Sequence, residues 1–120
     1  MARTKTTRIV LVTCGNIIEA RRIASKVVHK HLAACVTIVL GPVQSVYRWK
    51  GKVQTAREQL LLIKTVEKQL SALEAEIKRL HTYDVPEIIA VPLDWGSDDY
   101  LSWLTANSTA GKGGSSRNAI

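Results

Sequence analysis

Two long runs rich in Val, Ile and Leu, residues 33–47 and 53–65, are separated by one short polar stretch containing Lys50-Gly51. Both read as β-strands, because β-branched residues fit a pleated surface. The dipeptide between them reads as a tight turn in which glycine accepts a positive φ. Gly41-Pro42 interrupts the first run, and a proline removes a ladder donor, so a bulge or an edge position is expected there. Each arm of this predicted hairpin has about 14 residues and, at ~3.3 Å per residue, reaches about 45 Å.

The remaining elements cannot shelter an arm of that length. RIVLVT (residues 8–13) reads as a short buried strand followed by the breakers Gly15 and Asn16. Ala20, Ile23, Ala24, Val27, Val28 and His31 recur at helical spacing, and so do Leu70, Leu73, Ile77 and Leu80. VPEIIAVPL (residues 85–93) reads as an edge strand, and Ser97 as the N-cap of a last short helix carrying Leu101, Trp103 and Leu104. The order β-α-β-β-α-β plus a terminal helix predicts an α+β, ferredoxin-like fold, with both main helices on one face of an antiparallel sheet. Helices of roughly 15 residues extend only about 23 Å. About half of the ribbon must therefore project, exposing Val43, Val46, Tyr47, Trp49 and Val53. An isolated two-stranded ribbon is marginal in water, and further copies of the chain in a closed oligomer are the economical cover. Tyr47, Trp49, Lys50 and Gly51 in YRWKGK are the expected interface residues.

A net charge of +7 raises the question of nucleic acid. Five of the 17 basic residues (Arg3, Lys5, Arg8, Lys112 and Arg117) lie near the ends, where no acid accompanies them, and the body between is nearly balanced. RNA-binding domains of this topology stack bases on aromatics of two central strands, and IVLVT and LLLIKT contain none. No specific nucleic-acid partner is expected. The apolar runs are too short for a bilayer, which needs about 20 such residues, so no membrane partner is expected either. The two cysteines do not make a disulfide framework, and the chain reads as reduced and cytoplasmic. The expected organisation is a basic segment over 1–8, one domain over 9–106, and a disordered tail over 107–120.

The topology predicts one chemically interesting end. The end of strand 1 (Cys14), the end of helix 2 (His81, Tyr83, Asp84) and the start of strand 4 (Glu87) fall together, and the hairpin rises from the same place. Cys14, His81 and Glu87 are the candidate ligands for a soft or borderline divalent ion such as copper or zinc. Plainer readings stand beside this one. Cys14 also suits a small buried residue, His81 the negative end of a helix, and Glu87 a lysine pair. Cys35, Trp95 and Trp103 read as packing, Lys64 as a solvated lysine and Thr65 as a helix cap, and His29 and His31 point to different helix faces. No phosphate loop, nucleophile motif or facing carboxylate pair is present, so no enzyme is expected.

LAACV (32–36), YRWKGK (47–52), EQLLLIKT (58–65), LHTYDVPEIIA (80–90) and DYLSWL (99–104) occur in order, and together they resemble the CutA divalent-cation tolerance family over residues 9–104. The resemblance implies a ferredoxin-like homotrimer with intersubunit β-pairing, associated with tolerance to copper and other divalent ions. Two positions depart from the family's pattern. Gly15 and Asn16 stand where a proline and an acidic residue are usual, and His81-Thr82-Tyr83-Asp84 replaces a His-Pro-Tyr-Glu sequence. The function expected is therefore a trimeric metal-binding or metal-tolerance protein. The alternative is a trimeric module holding a small metabolite in a cleft between subunits.

Overall fold

The computed structural model describes residues 6–109. Strand β1 (Thr7–Cys14) leads into helix α1 (Ile17–His29), and strands β2 (Cys35–Trp49) and β3 (Lys52–Val66) form the hairpin. A single 3-10 turn (Glu67–Gln69) enters helix α2 (Leu70–Leu80), and strand β4 (Ile88–Pro92) and helix α3 (Asp98–Asn107) complete the chain. All strand pairings are antiparallel, in the order β2-β3-β1-β4. This is the ferredoxin-like arrangement expected from the element order. Among the described residues no helix is long and apolar enough to cross a membrane.

Alternation along the strands sorts their side chains onto two faces. Val10, Val12, Cys14, Leu61 and Ile63 point to the helices and are buried against Ala20, Ile23, Val27, Leu73 and Ile77. Ile9, Leu11, Leu60 and Leu62 alternate with them and point to the other face, where Ile89 and Val91 register opposite Leu11 and Ile9. Helix α3 covers only one end of that second face, where Leu104 is buried against Val66 and Ala34, and farther along it Ile89 and Val91 are about half exposed.

The hairpin behaves as its length demands. β1 pairs with β3 only from Thr7↔Val66 to Cys14↔Gln59, so the ribbon from residue 58 outward leaves the sheet. The register shifts between Val39 and Val43, around Gly41-Pro42, as the proline predicts. At the tip Lys50 has φ 51° and Gly51 φ 79°, the two left-handed residues of a tight hairpin turn. Val46 and Val53 on the ribbon are more than half exposed.

Several expectations need correcting. His31 does not extend the apolar face of α1. The helix ends at His29, and His31 takes the left-handed position with φ 58° while the Leu32 and His31 amides donate to the Val27 and Val28 carbonyls. This is a Schellman-type end, with histidine in the place glycine usually holds. Thr65 is not a helix cap, since its buried hydroxyl donates to the Leu32 carbonyl at 2.7 Å. Lys64 is tied down by Thr37 Oγ1 rather than freely solvated. Trp95 is 78% exposed and packs little, whereas Trp103 supports the small core beneath α3. Cys35 is only partly buried.

The domain also extends past its expected limits. Thr7 and Arg8, assigned to the leading basic segment, pair with Val66 and Thr65 in β1. Ser108 is fully buried and accepts a hydrogen bond from Gln69 Nε2 at 2.8 Å through its carbonyl, so the folded body does not stop at residue 106. The rest of both predicted end segments, residues 1–5 and 110–120, lies outside the described residues.

Candidate metal centre

The chain reverses twice at the end of β1, and both reversals deliver buried polar groups to one spot. Asn16 caps α1 by accepting the Glu19 amide at 2.9 Å. Glu19 is the third helical residue, from which a glutamate often reaches back to the cap. Here its carboxylate turns inward instead and is only 4% exposed. Helix α2 ends at His81, whose amide donates to the Ile77 carbonyl while its ring swings under the end of β1.

The hydrogen bonds around His81 fix its tautomer. Nε2 lies 2.7 Å from the Thr13 carbonyl, which can only accept, so Nε2 carries the proton. Nδ1 receives the Tyr83 amide at 3.1 Å, so it is the bare nitrogen. That bare nitrogen is 3.3 Å from Glu19 Oε2. The other oxygen, Oε1, accepts from the Thr82 hydroxyl at 2.8 Å, but Oε2 is buried without a hydrogen-bond donor among the described residues. Two acceptors thus face each other in a dry site, and the gap between them calls for a proton or a cation.

Cys14 completes the cluster. Its thiol, His81 Nδ1/Nε2 and a Glu19 oxygen lie within 4.8 Å of one another, the one such group among the described residues. Burial, reinforced by the charges of Glu19 and Glu58, pushes the Cys14 thiol up to about 12. It therefore holds its proton at neutral pH, and a metal taking sulfur must displace it. Sulfur, imidazole nitrogen and carboxylate oxygen form a donor set for a borderline divalent ion, and the orphaned Oε2 fits such a group.

Two of the three residues expected as ligands, Cys14 and His81, are thus brought together. Glu87 is not with them. It is exposed and lines a neighbouring cavity, because β4 begins only at Ile88 and the preceding turn carries Glu87 past the end of β1. Glu19 occupies the third place. Its helix-start position makes it look like a capping residue, and its spacing of five from Cys14 was the only hint available. Tyr47 and Trp49, expected at an interface, line the same cavity as Glu87, while Lys50 and Gly51 form the ribbon's exposed turn.

Tyr83 divides the two sites. Its ring centroid lies 4.7 Å from that of His81, and its hydroxyl donates to Glu58 Oε2 at 2.7 Å. Burial, then this bond to Glu58, raises its pKa above the usual phenol range. The ring passes directly over Gly15, where a Cβ would sit 3.3 Å from the Tyr83 oxygen. The two departures noted in the sequence therefore have local roles: Gly15 gives Tyr83 its room, and Asn16 starts α1.

Comparison with known proteins agrees with this architecture. The sequence profile described as CutA1 divalent ion tolerance protein matches residues 8–107. The divalent-cation tolerance protein CutA of Thermus thermophilus is 45% identical over 100 residues, which span 83% of this chain and 96% of that protein. The chloroplastic Protein CutA 1 of Oryza sativa is 50% identical over 101 residues, 84% of this chain but 56% of its own length. The chain thus spans about half the length of the plant relatives it matches. The solved structure of the Thermus thermophilus protein superposes with a TM-score of 0.82 at 44% identity, covering 84% of this chain and 97% of that one. CutA1 from Oryza sativa gives 0.82 at 48% identity, covering 88% and 95%. On these grounds the chain belongs to the CutA1 divalent ion tolerance family.

Proposed function

We propose that this protein is a non-catalytic, cytoplasmic divalent-metal-binding protein that works as a closed trimer and takes copper or zinc at Cys14, Glu19 and His81. The observation that carries this reading is the confrontation of two buried acceptors, His81 Nδ1 and Glu19 Oε2, beside a thiol. An ion bound there supplies the positive charge that these groups lack. Thr82 holds the carboxylate by one oxygen and Thr13 holds the imidazole by its far nitrogen, so both ligands are oriented by their neighbours. Binding at Nδ1 asks the Tyr83 amide to give up its hydrogen bond, which links metal uptake to the neighbouring loop.

The trimer reading is supported by the projecting ribbon and the part of the sheet that α3 leaves open, where Val46, Val53, Ile89 and Val91 remain about half exposed or more. Titration of the purified protein with zinc and copper(II), beside Glu19→Gln and His81→Ala variants, tests the metal reading. Saturable binding of one ion per chain, weakened at least about tenfold in either variant, is expected. Equal and weak binding by all three proteins would remove the site. Mass in solution by light scattering tests the trimer, and a monomer at micromolar concentration would refute it.

A further inference from the structure

Where the ribbon leaves the sheet, on the face opposite α1 and α2, a cavity of about 440 Å³ opens between β2, β3 and the turn over residues 83–87. Its size is ordinary for a small-molecule site. Its charge is not ordinary for this chain. Although the protein carries +7 overall, the lining holds three carboxylates, Glu58, Asp84 and Glu87, and no lysine or arginine.

Glu58 is the telling member. It is only 6% exposed and its Oε2 takes the Tyr83 hydroxyl, while its second oxygen is not among the buried atoms and remains open to the cavity. A largely buried carboxylate that no lysine or arginine pairs with among the described residues favours a cation that reaches its open oxygen through the cavity. The walls are aromatic: Tyr47, Trp49 and Tyr83 present ring surface beside the acids. The acids do not form a chelating set, because the one group of ligand atoms that converges within 4.8 Å among the described residues is the Cys14 cluster. Carboxylates spread around aromatic rings suit a cation that is itself extended, with charge at several points and methylenes between them.

We propose that this cavity binds an aliphatic di- or polyamine. Its ammonium groups meet Glu58, Asp84 and Glu87, and its methylene chain lies on Tyr47, Trp49 and Tyr83. The site is distinct from the Cys14 cluster, with Tyr83 standing between the two.

Isothermal titration of dialysed, metal-free protein with putrescine and spermidine tests this, with 1,4-butanediol as the uncharged counterpart of putrescine. Saturable binding of both amines and none of the diol is expected. Glu87→Gln, at an exposed position, should weaken binding roughly fivefold, and Glu58→Gln by about thirtyfold. Glu87→Gln should leave zinc binding unchanged, which separates this site from the metal centre. Absence of saturable binding, equal binding of diol and diamine, or unchanged affinity in Glu87→Gln would each overturn the proposal. So would amine binding that emerges only in a Lys50→Gln, Lys52→Gln double variant, because the cavity would then belong to the basic ribbon tip of a neighbouring copy.

Discussion

The two faces of the sheet are built from the same strands and the same kinds of residue, yet they end in opposite conditions. On one, Val12, Leu61 and Ile63 are wholly buried under α1 and α2. On the other, Leu11, Leu60 and Leu62 share a surface with half-exposed Ile89 and Val91, and the ribbon continues that surface outward. The first face makes the chain fold. The second has apolar area to spare, and burying it is worth roughly 25 cal/mol per Å² only when something else arrives. Composition does not tell these roles apart, since neighbouring leucines on one strand play both.

Truncation on each face should separate them. Leu61→Ala opens a cavity beneath the helices, and urea denaturation should register a loss of about 2–5 kcal/mol. A loss below about 1 kcal/mol would mean that the helix layer is not the core. Leu62→Glu, one residue along, should keep a native circular dichroism spectrum and cost the single chain less. Its effect should appear in the mass measured by light scattering, which falls to that of one chain. Retention of the full assembled mass would show that the part of this face left open by α3 is not the seam between copies.

A third substitution probes how the covering layer is held. Asn16→Ala removes the side chain that caps α1 and should cost about 1 kcal/mol. Because α1 also carries Glu19, the same variant should weaken zinc binding, whereas Ser97→Ala, which uncaps α3, should leave it unchanged. Equal effects of the two caps on zinc would disconnect α1 from the metal centre.

Most of the architecture was legible because it rests on periodicity. The short apolar runs in RIVLVT and LLLIKT, the helical stripes, and Lys50-Gly51 between two β-rich runs are local patterns with local causes. The bulge at Gly41-Pro42 was equally plain, since proline has no amide to give the ladder. The site was half legible. Topology alone brought the ends of β1 and α2 together and so paired Cys14 with His81. It named Glu87 as the third ligand and missed Glu19, because the third place depends on which way a carboxylate turns at a helix start and on where β4 begins pairing. His31 failed for a related reason: its spacing fits the apolar stripe of α1, but the helix has already turned left-handed there. Trp95 shows that a large aromatic side chain in a turn need not pack.

The helix layer itself contains a charge clamp that sharpens the contrast with the more open face. Glu76 of α2 receives Arg79 through two bonds, at 3.2 and 2.7 Å, and Lys30 from the end of α1 at 3.1 Å. Arg79, then Lys30, lowers its carboxyl from 4.5 to about 2. A carboxyl whose folded value lies below its unfolded value stabilises the fold above about 4.5. That contribution fades as the pH falls toward 2. Arg79 and Lys30 are about half exposed, so solvent screens the pairs and the effect is modest. Glu76→Gln should therefore lower the melting temperature by a few degrees at pH 7. The gap from the parent protein should hold steady down to about pH 5 and close between pH 4.5 and 2. A gap as wide at pH 2.5 as at pH 7 would mean that Glu76 acts by packing, and that α1 and α2 are joined by their apolar contacts alone.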